Sequence, residues 1–138
     1  MNWDYKKAIV GNKLPTLKLE PISRSNMILY SEASGDHNPI HTNQSFAKKY
    51  GLKDVIAHGM LIMAYLSRMI TNSVPQSRIK NIKVQFSNMT NLHDELLCSG
   101  KVVEKKIIDN SKVILVSLKV EEISGEKKII GITSVNID

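Results

Sequence analysis

One segment constrains the fold of this chain more than any other, an apolar run that begins at Gly59 and continues to about Asn72. Apolar side chains occupy almost every side of the helix that this run would form, at Met60, Leu61, Ile62, Met63, Ala64, Leu66, Met69 and Ile70. A helix that is apolar nearly all round is a buried helix, so the rest of the chain has to cover it. Pro75 follows soon afterwards, which is typical of a helix end.

The chain after Pro75 has the patterns of strands. Apolar and polar residues alternate over 82–87, and three further strands are predicted over 96–107, 114–120 and 128–137. Asp109-Asn110 and Ser124-Gly125 supply hairpin turns between the last three strands. These segments therefore predict an antiparallel meander.

The chain before the apolar run is mixed. Residues 14–22 contain a short alternation that suggests a strand, and Ser25 can cap a helix that runs to about Ser34 and stops at Gly35. Thr42 or Asn43 can cap a second short helix, which ends at Gly51. One buried helix needs a curved sheet around it, and the later strands can provide one. The sequence predicts an α+β protein with a single hot-dog domain over residues 1–138, an antiparallel sheet wrapped around one central helix.

Composition and the N-terminal sequence indicate the cellular compartment. A single cysteine, Cys98, cannot form an internal disulfide, which favours a reducing interior. The polar N-terminus resembles no signal peptide, and the longest apolar stretch, around 60–66, is far shorter than the ~20 residues of a membrane helix. We therefore expect a soluble cytoplasmic protein that does not associate with membranes.

The formal net charge is +6, and part of it is concentrated. No acidic residue lies between Asp54 and Asp94, an interval that contains Arg68, Arg78, Lys80 and Lys83. Such a patch favours an anionic partner, although a solvated basic surface is the simpler interpretation for most lysines. Aromatic residues do not interleave with these charges, so a nucleic-acid partner is not expected.

Asp36 and His41 are the first candidates for chemistry. They lie five residues apart in a segment rich in Gly, Asn and Pro that cannot be regular helix or strand. A histidine titrates near neutrality and a carboxylate can orient water, so the two could act together on a substrate. The alternative is a capped turn in which Asp36 bonds its own backbone and His41 is exposed. Spacing alone favours the turn.

Gly59 and Ser67 are candidates of a second kind. Helix N-terminal N–H groups stabilise negative charge, and Gly59 would let a ligand approach that backbone closely. The alternative, equally open, is that Gly59 only permits the chain to turn into the helix. Ser67 shares a helix face with Met60 and Met63, where it could contact a substrate or bond a carbonyl of its own helix.

Other site classes lack their motifs. The sequence contains no HExxH, no CxxC, no glycine-rich phosphate loop and no GxSxG, so neither a metal nor a nucleotide site is predicted. Cys98 lies in an apolar strand and is expected in the core.

Two blocks of the sequence resemble a known family. Tyr30, the run Ser34-Gly35-Asp36-His37-Asn38-Pro39-Ile40-His41 and Ala47 resemble the hydratase signature of the MaoC-like dehydratases, which include the (R)-specific enoyl-CoA hydratases. Ile56-Ala57-His58-Gly59-Met60-Leu61 resembles the second block of that family. Weaker likeness continues to the C-terminus, so the resemblance covers most of the chain.

The resemblance implies a reaction and a set of roles. Asp36 and His41 would activate water for addition to a 2-enoyl thioester, or for its removal from an (R)-3-hydroxyacyl thioester. Asn38 would hold the loop, Gly59 would offer its N–H to the thioester carbonyl, and Ser67 matches a serine found in some members' sites. The carrier would be CoA or acyl carrier protein, no cofactor would be needed, and the protein would form a homodimer or higher homo-oligomer.

The sequence also departs from the family pattern. Many members carry Pro-Val and then Gly-Asp after the strand that ends here at Phe86, whereas this chain has Met89-Thr90 and His93-Asp94. Acyl-chain length therefore cannot be carried over, nor can the carrier, the pathway or the physiological direction. The alternatives are the catalytic subunit of a heterodimeric 3-hydroxyacyl-ACP dehydratase, a hot-dog acyl-CoA thioesterase, and a non-catalytic acyl-CoA-binding protein.

Overall fold

The computed structural model describes residues 3–138. It contains three α-helices, α1 (Arg24–Ser34), α2 (Gln44–Lys49) and α3 (Gly59–Thr71), and five strands, β1 (Leu17–Lys18), β2 (Ile79–Phe86), β3 (Leu96–Ile108), β4 (Ser111–Glu122) and β5 (Lys127–Asn136). No helix within these residues is long and apolar enough to cross a membrane.

The five strands form one antiparallel sheet in the order β1-β3-β4-β5-β2. β3 and β4 are joined by Asp109 and Asn110, whose φ angles are +50° and +62°. Two consecutive positive φ angles are what a two-residue hairpin turn requires, and Asp and Asn tolerate them better than most residues. The predicted meander over the last three strands is therefore confirmed.

The core lies between α3 and the sheet. α3 contacts β1, β3 and β4, and five of its side chains are buried: Leu61, Ile62, Leu66, Met69 and Ile70. The face of β4 predicted from its alternation is also buried, with Ile114, Val116 and Val120 at 0% exposure. The α+β hot-dog arrangement expected from the sequence is thus confirmed.

One side of α3 departs from the expectation of burial all round. Met60 is 56% exposed, and Ala64, Arg68 and Thr71 are exposed as well. These residues recur at intervals of three or four and so form one stripe along the helix. The prediction of an all-round buried helix is therefore wrong for the single chain.

Two predicted boundaries also change. α1 is capped by Ser23 and not by Ser25, because Ser23 Oγ accepts a hydrogen bond from the Asn26 N–H while the Asn26 side chain accepts one from the Ser23 N–H. β1 is only two residues long. Pro15 and Pro21 stand on either side of it, and since proline has no N–H to donate, the strand cannot extend far in either direction.

Candidate active site

The loop that follows α1 is built from short local hydrogen bonds. Ser34 Oγ accepts from the Asp36 N–H at 3.1 Å, Asp36 Oδ1 accepts from the Asn38 N–H at 3.2 Å, and Asn38 Oδ1 accepts from the Ile40 N–H at 3.1 Å. Each side-chain oxygen accepts from the backbone N–H two residues further on, and these bonds fix the loop without pairing to a strand. Asn38 thus caps the 3-10 turn Pro39–His41.

Asp36 and His41 meet across this loop. His41 Nε2 lies 4.0 Å from Asp36 Oδ2, and the Asp36 side chain is 53% exposed whereas that of His41 is 12% exposed. The other ring nitrogen, His41 Nδ1, donates to the carbonyl of Ile56 at 2.7 Å. Because a carbonyl only accepts, the neutral ring carries its proton on Nδ1, and Nε2 presents its lone pair towards the carboxylate.

A third side chain, His58, completes the cluster. Its ring stacks on that of His41 with centroids 3.8 Å apart and planes 25° from parallel. His58 Nε2 donates to the Asp36 carbonyl at 3.2 Å, and Ser31 Oγ lies 3.2 Å from the same nitrogen. Desolvation lowers the pKa of His58, and the neighbouring His41 lowers it further, against the opposing pull of Asp36. His58 is therefore a neutral side chain that packs against the His41 ring and hydrogen-bonds the backbone of Asp36.

The start of α3 borders the same region. Gly59 is the first residue of the helix and is exposed, and no side chain caps the helix there. The first N–H groups of a helix have no partner inside it, so they can bind an acceptor from outside. A Cβ placed on Gly59 would come within 3.1 Å of Phe86 Cε1. Glycine at this position keeps the approach to those N–H groups open.

A cavity of about 300 Å³ connects these elements. Its walls come from the helix start, the segment before it, the end of β2, the loop after β2 and the start of β5. Among the lining residues are His41, Ile56, Gly59, Ile62, Phe86, Met89, Lys128 and Ile129. Asp36 does not line the cavity and stands on the solvent side of His41, half exposed. Most of the lining is apolar, with His41 and Gly59 among the few groups suited to chemistry.

Ser67 lies elsewhere. Its Oγ donates to the Met63 carbonyl at 3.0 Å, and its side chain borders a separate hollow between α3 and β2 that contains neither His41 nor Gly59. This placement agrees with the packing alternative within one chain. A part for Ser67 in a substrate site stays a prediction.

Ligand atoms from Asp36, His41 and His58 lie within 4.8 Å of one another, a spacing that a metal ion can bridge. The hydrogen bonds favour a different use. His58 Nε2 carries a proton that it donates to the Asp36 carbonyl, and a protonated nitrogen cannot ligate a metal. The remaining nitrogen, His58 Nδ1, is buried and finds no partner within residues 3–138.

His58 is a residue of the candidate site that sequence reasoning missed. The signal was present, since a histidine stands directly before the helix-opening glycine in the second sequence block. Its contact with His41, however, spans 17 positions of chain and depends on how α3 packs against the loop. Spacing along the sequence does not reveal such a contact.

Comparison with known proteins supplies a family. Residues 6–124 match the family described as MaoC like domain. The R-hydratase PhaJ1 of Pseudomonas aeruginosa superposes with a TM-score of 0.83 at 25% identity, covering 97% of this chain and 84% of that one.

Two sequence relatives agree with this match. The fatty acid synthase subunit beta of Schizosaccharomyces pombe is 33% identical over 111 residues, which are 77% of this chain and 5% of that protein. The mitochondrial 3-hydroxyacyl-acyl-carrier-protein dehydratase of Arabidopsis thaliana is 26% identical over 97 residues, which are 70% of this chain and 58% of that protein. The chain thus spans only part of either relative. Its fold, its two sequence blocks and the extent of the family match lead to one conclusion: this chain belongs to the MaoC-like dehydratase family.

Proposed function

We propose that this protein is a hydratase or dehydratase that interconverts 2-enoyl and (R)-3-hydroxyacyl thioesters. The observation that carries the proposal is the separation of 4.0 Å between His41 Nε2 and Asp36 Oδ2. An oxygen atom about 2.8 Å from each of two such atoms makes a good hydrogen bond to both, so one water fits between the imidazole and the carboxylate. The presence of hydratases and dehydratases among the relatives supports the same reaction.

In the hydration direction, the water held by Asp36 and His41 attacks C3 of the 2-enoyl thioester. Either group takes the water proton as the C3–O bond forms, and the π electrons of the C2–C3 bond move onto the thioester as an enolate. The proton then goes to C2, which restores the carbonyl. Dehydration follows the same steps in reverse. The pair acts as general acid and base throughout.

The enolate oxygen needs a partner while it carries charge. The N–H of Gly59, at the uncapped start of α3, is the donor that we assign to it. Donors fixed before the reaction stabilise developing charge without rearranging, and the helix dipole adds to the effect. His41 and Gly59 border the same cavity, whose apolar walls suit an acyl chain.

The carrier would be recognised by charge. CoA and acyl carrier protein both present phosphate groups, and acyl carrier protein adds an acidic surface. Lys80 and Lys83 are exposed on β2. A basic surface of this kind attracts an anionic carrier and raises its rate of association.

We further assign a homodimer to the protein on the basis of one face. The outer edge of β2 has no strand paired to it within residues 3–138, and an unpaired edge invites another strand. The hollow beside that edge is bounded by Ile79 and Ile82 of β2 and by Ala64 and Arg68 of the exposed α3 stripe. A second copy that covers this face would complete the burial of α3.

The reaction class can be tested with crotonyl-CoA. We expect its enoyl absorbance to fall on addition of the protein, because hydration removes the conjugated double bond. A thiol-trapping dye in the same cuvette should stay colourless, since the thioester bond survives. Release of free thiol would instead identify a thioesterase. Stoichiometric binding with neither change would identify an acyl-CoA-binding protein, and either result would refute the proposed reaction.

A further inference from the structure

Lys128 is a buried lysine that the reaction above does not use. It is 2% exposed, whereas its neighbour Lys127 is exposed. Regular alternation from the buried Ile129 would turn Lys127 inward and Lys128 outward. Val120 pairs with Ile129 but Glu121 pairs with Lys127, so Lys128 is the extra residue of a β-bulge. Bulges redirect single side chains, and this one turns Lys128 inward.

The Lys128 ammonium has three protons and three acceptors. Its Nζ donates to the Met89 carbonyl at 2.8 Å, pairs with Asp94 Oδ2 at 3.1 Å and contacts Glu126 Oε1 more closely still. Burial by itself would lower the pKa of Lys128, but hydrogen bonds to Glu126 and Asp94 raise it above the ordinary value. The lysine is therefore charged and fully engaged.

Two of these acceptors belong to the segment between β2 and β3. Residues 87–90 of that segment form a wall of the cavity. This wall is also hydrogen-bonded to the segment just before α3, since the Thr90 carbonyl accepts from the Ala57 N–H at 2.8 Å. The preceding carbonyl, that of Ile56, holds His41 Nδ1. Lys128 thus connects through backbone bonds to the residue that orients the catalytic imidazole.

We propose that Lys128, Asp94 and Glu126 form a latch that fixes the 87–90 wall, and that Lys128 is thereby a positioning residue that restricts the site to short acyl chains. The substrate part of this inference rests on the proposed thioester reaction. A cavity of about 300 Å³ is at the small end for ligand sites, and a fixed wall keeps it small.

Amide hydrogen exchange tests the latch without any substrate. The Ala57 amide bonds to Thr90, and the Asn91 amide bonds to Asp94 Oδ2 at 2.8 Å. In Lys128→Met both amides should exchange at least about 10-fold faster, because the wall opens locally. Amides of the β4–β5 ladder serve as the reference for global unfolding. Unchanged exchange at Ala57 and Asn91 would overturn the latch.

The matched control is Lys127→Met, which removes the same charge from the exposed neighbour and should leave both amides unchanged. Lys128→Met leaves Asp94 without its cation, so it also needs a milder companion. Glu126→Gln removes one carboxylate whose side chain is 51% exposed, and it should speed the same two amides to a smaller extent. If Lys128→Met does not fold, Glu126→Gln decides the question alone.

Substrate preference tests the consequence. The kcat/KM for 2-octenoyl-CoA relative to crotonyl-CoA should rise about 10-fold in Glu126→Gln compared with Lys127→Met, since a loosened wall admits a longer chain. Lys128→Met should raise the ratio as well, but Lys128 itself lines the cavity, so Glu126→Gln is the deciding variant. A purely structural role would lower both values together and leave the ratio unchanged, which would overturn the specificity claim. If the wild type turns over neither substrate, the proposed reaction fails separately, and the same ratio is then read from the Kd values of octanoyl-CoA and butyryl-CoA.

Discussion

At the residue scale, the central feature is a histidine that supports another histidine. His58 holds the ring of His41 from below while it bonds the backbone of Asp36, so one buried side chain touches both members of the pair. The edge of the Tyr30 ring closes the other side of His58, with centroids 4.9 Å apart. A residue placed in this way organises the site without contacting the substrate.

The depressed pKa of His58 predicts how stability responds to acid. The native state disfavours the charged ring, whereas the unfolded chain protonates it at about its ordinary pKa of 6.5. The unfolded state then holds more protons below that pH, so the free energy of unfolding falls as the pH falls through this range. His58→Phe keeps a ring at this position but cannot titrate. We therefore expect its free energy of unfolding to fall less steeply than that of the wild type as the pH falls.

Urea unfolding of the two proteins between about pH 8 and about pH 5 measures this difference. The residues facing His58, namely Asp36, His41 and Tyr30, remain in both proteins. The difference in slope between the two proteins therefore reports the titration of His58 together with its coupling to Asp36 and His41. Parallel curves for wild type and variant would contradict the assignment of a neutral buried imidazole.

At the element scale, the contact that we assign to the start of α3, between the Gly59 N–H and the thioester oxygen, should be impaired by an added methyl group. In Gly59→Ala the new Cβ would lie 3.1 Å from the Phe86 ring and beside the N–H that we assign to the thioester oxygen. Phe86 is 50% exposed and can move aside, so the fold should survive. We expect kcat/KM for crotonyl-CoA to fall about 10²- to 10³-fold, as on loss of one oxyanion donor, with little change in Tm.

A second variant separates the two effects of that methyl group. Adding Phe86→Leu to Gly59→Ala removes the crowding against the ring, and activity should stay low because the N–H remains obstructed. Full recovery of kcat/KM in the double variant would mean that Gly59→Ala acts by displacing the Phe86 ring. It would contradict an effect through obstruction of the N–H groups at the helix start.

The elements themselves could largely be predicted from sequence. The apolar run of α3 and the Asp109-Asn110 turn are local signals, and both gave the right structure. The capped turn expected at Asp36 is also present, since Asp36 Oδ1 accepts from the Asn38 N–H. The exposed His41 that belonged to that alternative is wrong, because the His41 side chain is only 12% exposed and lies 4.0 Å from Asp36.

The features that sequence could not predict depend on a partner element. Lys128 turns inward only because β5 slips by one residue against β4, and alternation within one strand contains no information on that register. His58 meets His41 only after α3 has packed against the loop. The exposed stripe on α3 includes Met60 and Ala64, which the sequence assigns to the core because they are apolar.

At the scale of the whole molecule, the unpaired β2 edge and the α3 stripe predict a dimer. Light scattering should give twice the mass of one chain. Ala64→Glu would place a charge at the centre of the proposed contact and should shift the protein towards monomer. Glu104→Gln, an exposed position on β3, a strand that is not adjacent to β2, is the control. A wild-type protein that is monomeric at high concentration would contradict this assembly.

The central claim is that Asp36 and His41 act on one water molecule, and a double-mutant cycle on crotonyl-CoA hydration tests it most directly. Asp36→Asn and His41→Ala should each lower kcat/KM by about 10²- to 10⁴-fold. The double variant should be little worse than the poorer single one, because groups that act as a unit are not additive. His37→Ala, an exposed histidine of the same loop, should match the wild type. Single variants as active as the wild type, or losses that multiply in the double variant, would contradict a shared water.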